Sequence, residues 1–349
     1  MIKFYDGSKL LSLKDKDKKT PEIFICTSNR SAGKTTFFSR KLVKDFLKSG
    51  KKFCLVYRYA YECNNVADKF FNDIGQLFFQ DYIMIQEPGE KDTFVYLYLQ
   101  LRNDPESKVL CGYCVALNKA TALKKLSHLI QCDVMYFDEF QPEDGQYAPN
   151  EISKFQSVHT SLARGKGEQV RYLPVILVSN YVSVLNPYYT AMGITSRLQE
   201  NTNFLRGNGW VLEQGFNASA SNAQKLSAFN RAFEGSDYSK YASEKFYLND
   251  DNSLISRIEG DNEYVLTFRF EKQEYAIRHY YVLGLVYVNK TIDKSNPNKY
   301  AVTSADMTEE TRLLKGSMLL LRLREMFDNG AFRFYDLECK NALFNLLSY

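Results

Sequence analysis

From Glu22 to about Phe216, short apolar runs alternate with amphipathic stretches, the pattern of an α/β sheet with helices on its faces. Residues 23–26, 53–57, 134–137 and 175–178 are almost unbroken apolar segments, as strands of a central, mostly parallel sheet buried on both faces should be. Between the first two, Phe38, Leu42 and Phe46, with Val43 and Leu47, recur at helical spacing. Gly50 then stands where a helix C-terminal glycine belongs. The same periodicity predicts helices over 65–79 and 119–130.

The pattern changes after Phe216. Residues 217–244, "NASASNAQKLSAFNRAFEGSDYSKYASE", are small, polar and only partly helical in spacing, which predicts a linker or small connecting subdomain. Then "YVLTFRF", "EYAIRH" and "YYVLGLVYV" predict three consecutive strands, "KSNPNK" a loop, and 308–327 and 336–347 two helices, the order of a small α+β domain. The expected division is 1–216, 217–246 and 247–349.

Composition narrows this picture. The net charge of +4, from 45 basic and 41 acidic residues, excludes a protein that coats nucleic acid by charge alone, so any DNA contact must be local. No run approaches the roughly 18 apolar residues of a membrane span, and the first 13 residues lack a secretory pattern, so the expected setting is a cytoplasm without membrane contact. Seven cysteines without a paired framework fit a reducing compartment. The run "KDKDKK" reads as a solvated turn.

The chemistry concentrates at "EIFICTSNRSAGKTT" (22–36). A Walker A loop, GxxxxGK[ST], wraps phosphates in backbone N–H groups at a helix N-terminus, with Lys on the terminal phosphates and a hydroxyl on Mg²⁺. Here Ser28, Asn29, Arg30, Ser31, Ala32, Gly33, Lys34 and Thr35, followed by Thr36, leave a strand and open a helix. Ser28 replaces the first glycine, whereas Gly33, Lys34 and Thr35 keep the phosphate and metal chemistry, which predicts ATP and Mg²⁺ as ligands.

A second strand, "VMYFDEF", supplies the carboxylates: Asp138 to hold the metal with Thr35, and Glu139 to polarise a water for ATP hydrolysis. "PVILVSN" ends at Asn180, either a γ-phosphate sensor or a loop cap. Arg164 in "SLARGKGEQVRY" is either an arginine finger for a neighbouring subunit or surface charge. Cys111 and Cys114 read as strand cysteines of the core, His128, His159 and His279 form no ligand motif, and Asp261, Glu263 and Asp293 read as turn and surface acids in preference to a nuclease cluster.

Taken together, "SNRSAGKT", "VYRYAYE", "MYFDEF", "YAPNEISKF", "SLARGKGEQVR" and "LVSNYVSVLNPYY" resemble the DNA-encapsidation ATPase of small protein-primed podoviruses of the phi-twenty-nine type, over roughly residues 22–189 and more faintly beyond. The resemblance implies an N-terminal P-loop (ASCE) ATPase domain, related to terminase motors, and an RNase H-like C-terminal domain without nuclease acids. It implies a homo-oligomeric ring, pentameric in that family, on the portal of a prohead in the host cytoplasm. Its partners there are double-stranded DNA and, beside the portal, a packaging RNA. It matches Arg164 to a trans-acting arginine finger, Arg30 to a basic residue common in packaging P-loops, and 58–65 and 141–147 to loops facing the DNA channel. Ser28 and a longer linker depart from the family pattern. The competing functions are another nucleic-acid ATPase, such as a helicase loader or a terminase with a live nuclease, and a non-catalytic assembly protein.

Overall fold

The computed structural model describes residues 5–126, 130–164, 169–198, 202–250, 253–314 and 316–348. The chain divides into two compact units, Met1–Asn249 and Asp250–Tyr349.

The first unit holds a nine-stranded sheet of β1 (Ile23–Ser28), β2 (Phe53–Tyr57), β3 (Tyr82–Pro88), β4 (Phe94–Leu101), β5 (Asp104–Ala116), β6 (Val134–Asp138), β7 (Val175–Asn180), β8 (Phe204–Arg206) and β9 (Trp210–Gly215). Their order is β3-β4-β5-β2-β6-β7-β1-β9-β8. The central run from β5 to β9 is parallel, and both edges are antiparallel. The apolar runs predicted β1, β2, β6 and β7 because these lie in the middle and bury both faces. Strands β3 and β4 were missed because they lie toward an edge and mix Tyr, Gln and Glu into their apolar pattern.

Helices α1 (Ser8–Ser12), α2 (Lys34–Ser49), α3 (Val66–Phe78), α4 (Ala120–Leu126), α5 (Glu151–Leu162) and α6 (Pro187–Ala191) complete the layers. Alternate strand residues serve opposite faces, as the pleat requires. Ile25, Met135 and Phe137 pack with Phe155 of α5 and Tyr188 of α6, while Phe24, Cys26 and Tyr136 pack with Phe38 of α2 and Phe70 of α3. The expected helix over 119–130 is shorter: α4 ends at Leu126, and 127–129 lie outside the described residues.

The stretch after Phe216 folds as three short helices within the first unit, α7 (Ala218–Leu226), α8 (Ala228–Ala232) and α9 (Asp237–Ser243). Asn217, Ser227 and Ser236 cap them, each accepting a backbone N–H from the third residue on.

The second unit is a six-stranded sheet of β10 (Glu263–Phe270), β11 (Gln273–Tyr280), β12 (Leu285–Asn289), β13 (Lys299–Ala301), β14 (Arg312–Leu313) and β15 (Phe332–Phe334), ordered β14-β13-β10-β11-β12-β15. An antiparallel meander is flanked by parallel strands. Helices α10 (Met318–Asp328) and α11 (Leu337–Ser348) bury Leu320, Leu323, Leu343 and Leu346 against it. The expected helix over 308–327 is corrected: its first part contains β14, because Gly316 at φ 73° breaks the backbone and Ser317 caps a new helix.

Close approach of β2 and β5 makes Gly112 obligatory. A Cβ there would meet the Phe53 carbonyl oxygen at 2.7 Å and its ring at 2.8 Å. Gly112→Ala is expected to lower unfolding free energy by about 1–3 kcal/mol, read as a shift of the denaturant midpoint.

Candidate active site

Because β1, β6 and β7 are parallel neighbours, their C-terminal ends bring Ser28, Asp138 and Asn180 to one place. The loop from β1 to α2 turns through two left-handed residues, Ser31 at φ 58° and Gly33 at φ 91°. No side chain caps α2, so its first-turn N–H groups face the loop's concavity, a nest suited to phosphate. Ser28 does not need glycine's freedom: the left-handed residues of the loop are Ser31 and Gly33, not Ser28.

The Ser28 hydroxyl accepts from Lys34 Nζ at 2.8 Å. Lys34 Nζ also donates to the carbonyls of Ser28 (3.3 Å) and Asn29 (3.2 Å) and to Asn180 Oδ1 (3.0 Å). Lys34 is buried, and desolvation pulls its pKa down to about 8 against the opposing pull of nearby acids including Asp138. The Thr35 hydroxyl lies beside Asp138, whose pKa is raised by burial against the opposing pull of Thr35 and Lys34. Thr36 is half-buried in the first turn of α2.

Magnesium fits this corner. Buried Tyr136 Oη and Ser39 Oγ have no hydrogen-bond partner, and both lie beside Thr35 and Asp138, which together offer the oxygen-only donors that Mg²⁺ takes. Glu139 follows with a left-handed backbone at φ 54°. Its carboxyl pKa is raised, first by desolvation and then by the Asp138 and Glu143 charges.

That strained turn is held from β2. Buried Arg58 donates from Nη1 to the Glu139 carbonyl at 2.8 Å, from Nη2 to the Phe140 carbonyl, and from Nε to Glu151 Oε2 at 3.1 Å. Glu151 also accepts from the Ala148 N–H (2.7 Å) and the Tyr188 hydroxyl (2.9 Å), so both carboxylate oxygens are satisfied. Arg58 is thus committed inside the protein and is no basic group of a DNA-facing loop. The segment after it exposes Tyr61, stacked on Tyr59 at 5.5 Å.

The helical segment is tied to the phosphate loop. Asn29 and Asn217 exchange hydrogen bonds (2.9 and 3.1 Å), and Asn217 Nδ2 also donates to the Ala32 carbonyl at 3.2 Å. Gln224 donates to the Ser31 hydroxyl at 3.0 Å. Arg30 pairs with Glu143 and donates to Tyr238 Oη at 2.7 Å, and Tyr241 Oη donates to the same Glu143 at 2.8 Å. Arg30, Arg58, Glu139, Glu143 and Asn180 line one cleft of about 720 Å³. Sequence reasoning missed Glu143, Asn217, Gln224, Tyr238 and Tyr241, since nothing local marks a partner some 100 to 200 positions away, as |i−j| of 98, 188, 193 and 208 attest.

Arg164 lies elsewhere. It follows the end of α5, where the Arg171 N–H bonds the Ala163 carbonyl, Arg171 Nη2 bonds the Leu162 and Cys132 carbonyls, and the Tyr172 hydroxyl bonds the Pro21 carbonyl. Cys132 and Pro21 immediately precede β6 and β1, so exposed Arg164 sits at the opposite end of the strands from the phosphate loop, about 16 Å away along β1.

Of the weaker candidates, Cys111 and Cys114 are buried in β5. His159 bonds the Leu173 carbonyl, His279 packs on Tyr281, and His128 is outside the described residues. Glu263 accepts from Tyr281 and Asp293 caps its own turn. Among the described residues no three His, Cys, Asp or Glu side chains converge on a metal position, and no helix is long and apolar enough to cross a membrane.

The fold and this corner define a P-loop ATPase fold of the packaging-motor kind. The chain belongs to the podovirus DNA encapsidation protein (Gp16) family, whose model matches residues 2–348. It is similar to the DNA packaging protein of Bacillus phage phi29, 24% identical over 327 residues covering 91% of this chain and 90% of that one. The DNA packaging protein of Bacillus phage B103 is 24% identical over 310 residues, covering 87% and 90%. In structure it resembles a chain of the bacteriophage Phi-29 viral genome packaging motor assembly, with TM-score 0.70, 23% identity and coverage of 99% and 98%. A chain of the Phi-28 gp11 DNA packaging motor follows at TM-score 0.58, 15% identity and coverage of 100% and 99%.

Replacing Arg58 with Met would leave Glu151 as a buried, uncompensated charge. The expected cost is about 3–5 kcal/mol of stability, measured by denaturant unfolding, with Arg58→Lys recovering part of it.

Proposed function

We propose that this chain hydrolyses ATP, with Mg²⁺, as one subunit of a ring that drives double-stranded DNA through the portal of a prohead in the host cytoplasm. The observation that carries this reading is the convergence of Lys34, Thr35, Asp138, Glu139 and Asn180 at one end of the parallel strands, with Arg164 exposed at the other. An arginine so placed serves no phosphate of its own chain, which supports a shared site and hence a ring.

The nest and Lys34 would bind and orient the triphosphate. Bound Mg²⁺, held by Thr35 and Asp138, would neutralise charge on the β and γ oxygens. Glu139 accepts the proton of the attacking water as its oxygen bonds the γ-phosphorus and the bond to the β-phosphate oxygen breaks, leaving ADP and phosphate. The raised pKa of Glu139 suits it to take that proton. Asn180, which accepts from Lys34 Nζ, would register whether phosphate has replaced it.

DNA contact fits the first unit best. The second unit, Asp250–Tyr349, carries 13 basic and 15 acidic residues, leaving 32 and 26 in the first, so the +4 of the chain is +6 on the ATPase unit and −2 on the other. Binding to phosphates would be independent of sequence and weakened by salt.

Steady-state hydrolysis with and without double-stranded DNA tests this. Glu139→Gln is expected to reduce turnover by about 10²–10⁴ and Arg164→Ala by about 10³ or more, with nucleotide binding retained in both. Full activity in Arg164→Ala would refute the shared site, and full activity in Glu139→Gln the role given to that carboxylate.

Lys34 sets a pH dependence. Its pKa in the free loop is about 8 and bound phosphate would raise it, so ATP binding takes up a proton above that pH. Affinity is expected to fall by up to about tenfold per pH unit above about 8, read with a fluorescent ATP analogue. A flat profile would count against Lys34 as the phosphate ligand.

A further inference from the structure

We propose that the exposed apolar patch Leu226, Phe229 and Phe233 on α7 and α8 is one half of a contact between successive copies of this chain, and that Val170 and Tyr172, flanking Arg164, are the other half. This rests on the ring reading above and adds the surfaces that build it.

Leu226 and Phe229 are each 73% exposed and Phe233 56%. The Phe229 and Phe233 rings lie 5.1 Å apart, and Leu226 ends the helix just before them in the chain. A contiguous exposed patch of this kind marks an interaction surface. Val170, at 71% exposure, and Tyr172, at 52%, are two further exposed apolar residues, and the Tyr172 hydroxyl donates to the Pro21 carbonyl just before β1, at the far end of the sheet.

The choice of a second copy as occupant follows from where the two patches lie. The first is wired to the phosphate loop: Asn230 Nδ2, next to Phe229, donates to the Gln224 carbonyl and side chain (2.9 and 2.6 Å), and Gln224 donates to Ser31 Oγ (3.0 Å). The second lies beside Arg164, with Tyr172 anchored to the Pro21 carbonyl. Contact of like patches would bring two phosphate loops together and leave both Arg164 residues remote. Only the unlike pairing sets Arg164 of one copy beside the phosphate loop of the next. Such a head-to-tail contact repeats from copy to copy and closes a ring when the rotation per copy permits.

The contact also explains why the patch is not simply buried within its own chain. Through Asn230, Gln224 and Ser31, the neighbour's grip and the shape of the phosphate loop are linked by three hydrogen bonds.

All seven native cysteines are buried, so introduced surface thiols can be cross-linked selectively. A full-length chain carrying Phe229→Cys and Val170→Cys, treated with a short bis-maleimide in the presence of a non-hydrolysable ATP analogue and double-stranded DNA, is expected to give a ladder of trimers and higher multimers. Each single-cysteine chain is expected to give no species above background. Phe229→Asp should raise the chain concentration needed for half-maximal hydrolysis by about 30-fold or more, without changing the denaturant midpoint of the chain. Absence of the ladder, or dimers from Phe229→Cys alone as abundant as the multimers of the double variant, would overturn the proposal. A ladder together with full hydrolysis by Arg164→Ala would keep the contact and overturn the finger instead.

Discussion

One buried guanidinium holds the end of β6 in place. Arg58 is 6% exposed, and the charge it brings indoors is met by Glu151 and by the carbonyls of Glu139 and Phe140. Without it the left-handed backbone of Glu139 would lose two of the acceptors' partners and Glu151 would be stranded. A buried pair of this type adds little net stability over an apolar pair, but it fixes geometry, because each hydrogen bond has one direction. Here the geometry is the direction in which the Glu139 carboxylate leaves the strand. The same pair joins the ends of β2 and β6 to α5, so this end of the sheet is braced across its strands.

The phosphate loop is held from a second direction by residues well over a hundred positions later. Asn217 caps α7 with its carbonyl oxygen while its backbone and amide engage Asn29 and Ala32, so one residue is both helix start and loop anchor. Arg30 and Glu143 extend the tie to Tyr238 and Tyr241. A stretch whose composition reads as a linker is therefore tied by hydrogen bonds to the loop between β1 and α2. Its small polar residues are what permit close packing of short helices against the loop.

How much of this was legible follows from the range of the forces involved. The strands that carry Ser28, Asp138 and Asn180 announce themselves because burial on both faces demands unbroken apolar runs, and Gly33-Lys34-Thr35 is local chemistry. The edge strand β3 and its neighbour β4 mix polar residues into their apolar pattern and carry no such signal. Arg58 opens the segment matched to a DNA-facing loop, because a sequence shows a charge but not the Glu151 that neutralises it from 93 positions away. Ser28 looked like a defect in the loop, and only the distance to Lys34 Nζ reveals a ligand.

That last contact bears on how the loop lets go of its cargo. The ammonium of Lys34 is surrounded by oxygen atoms from Ser28, Asn29 and Asn180. On the proposed reading, a phosphate entering would compete with these acceptors, and a departing one would leave behind no bare buried cation. Residence of ADP and phosphate would be shortened accordingly, since the protein itself would re-solvate the lysine as they exit. For a machine that works by repetition, a loop that resets itself favours cadence over tight holding.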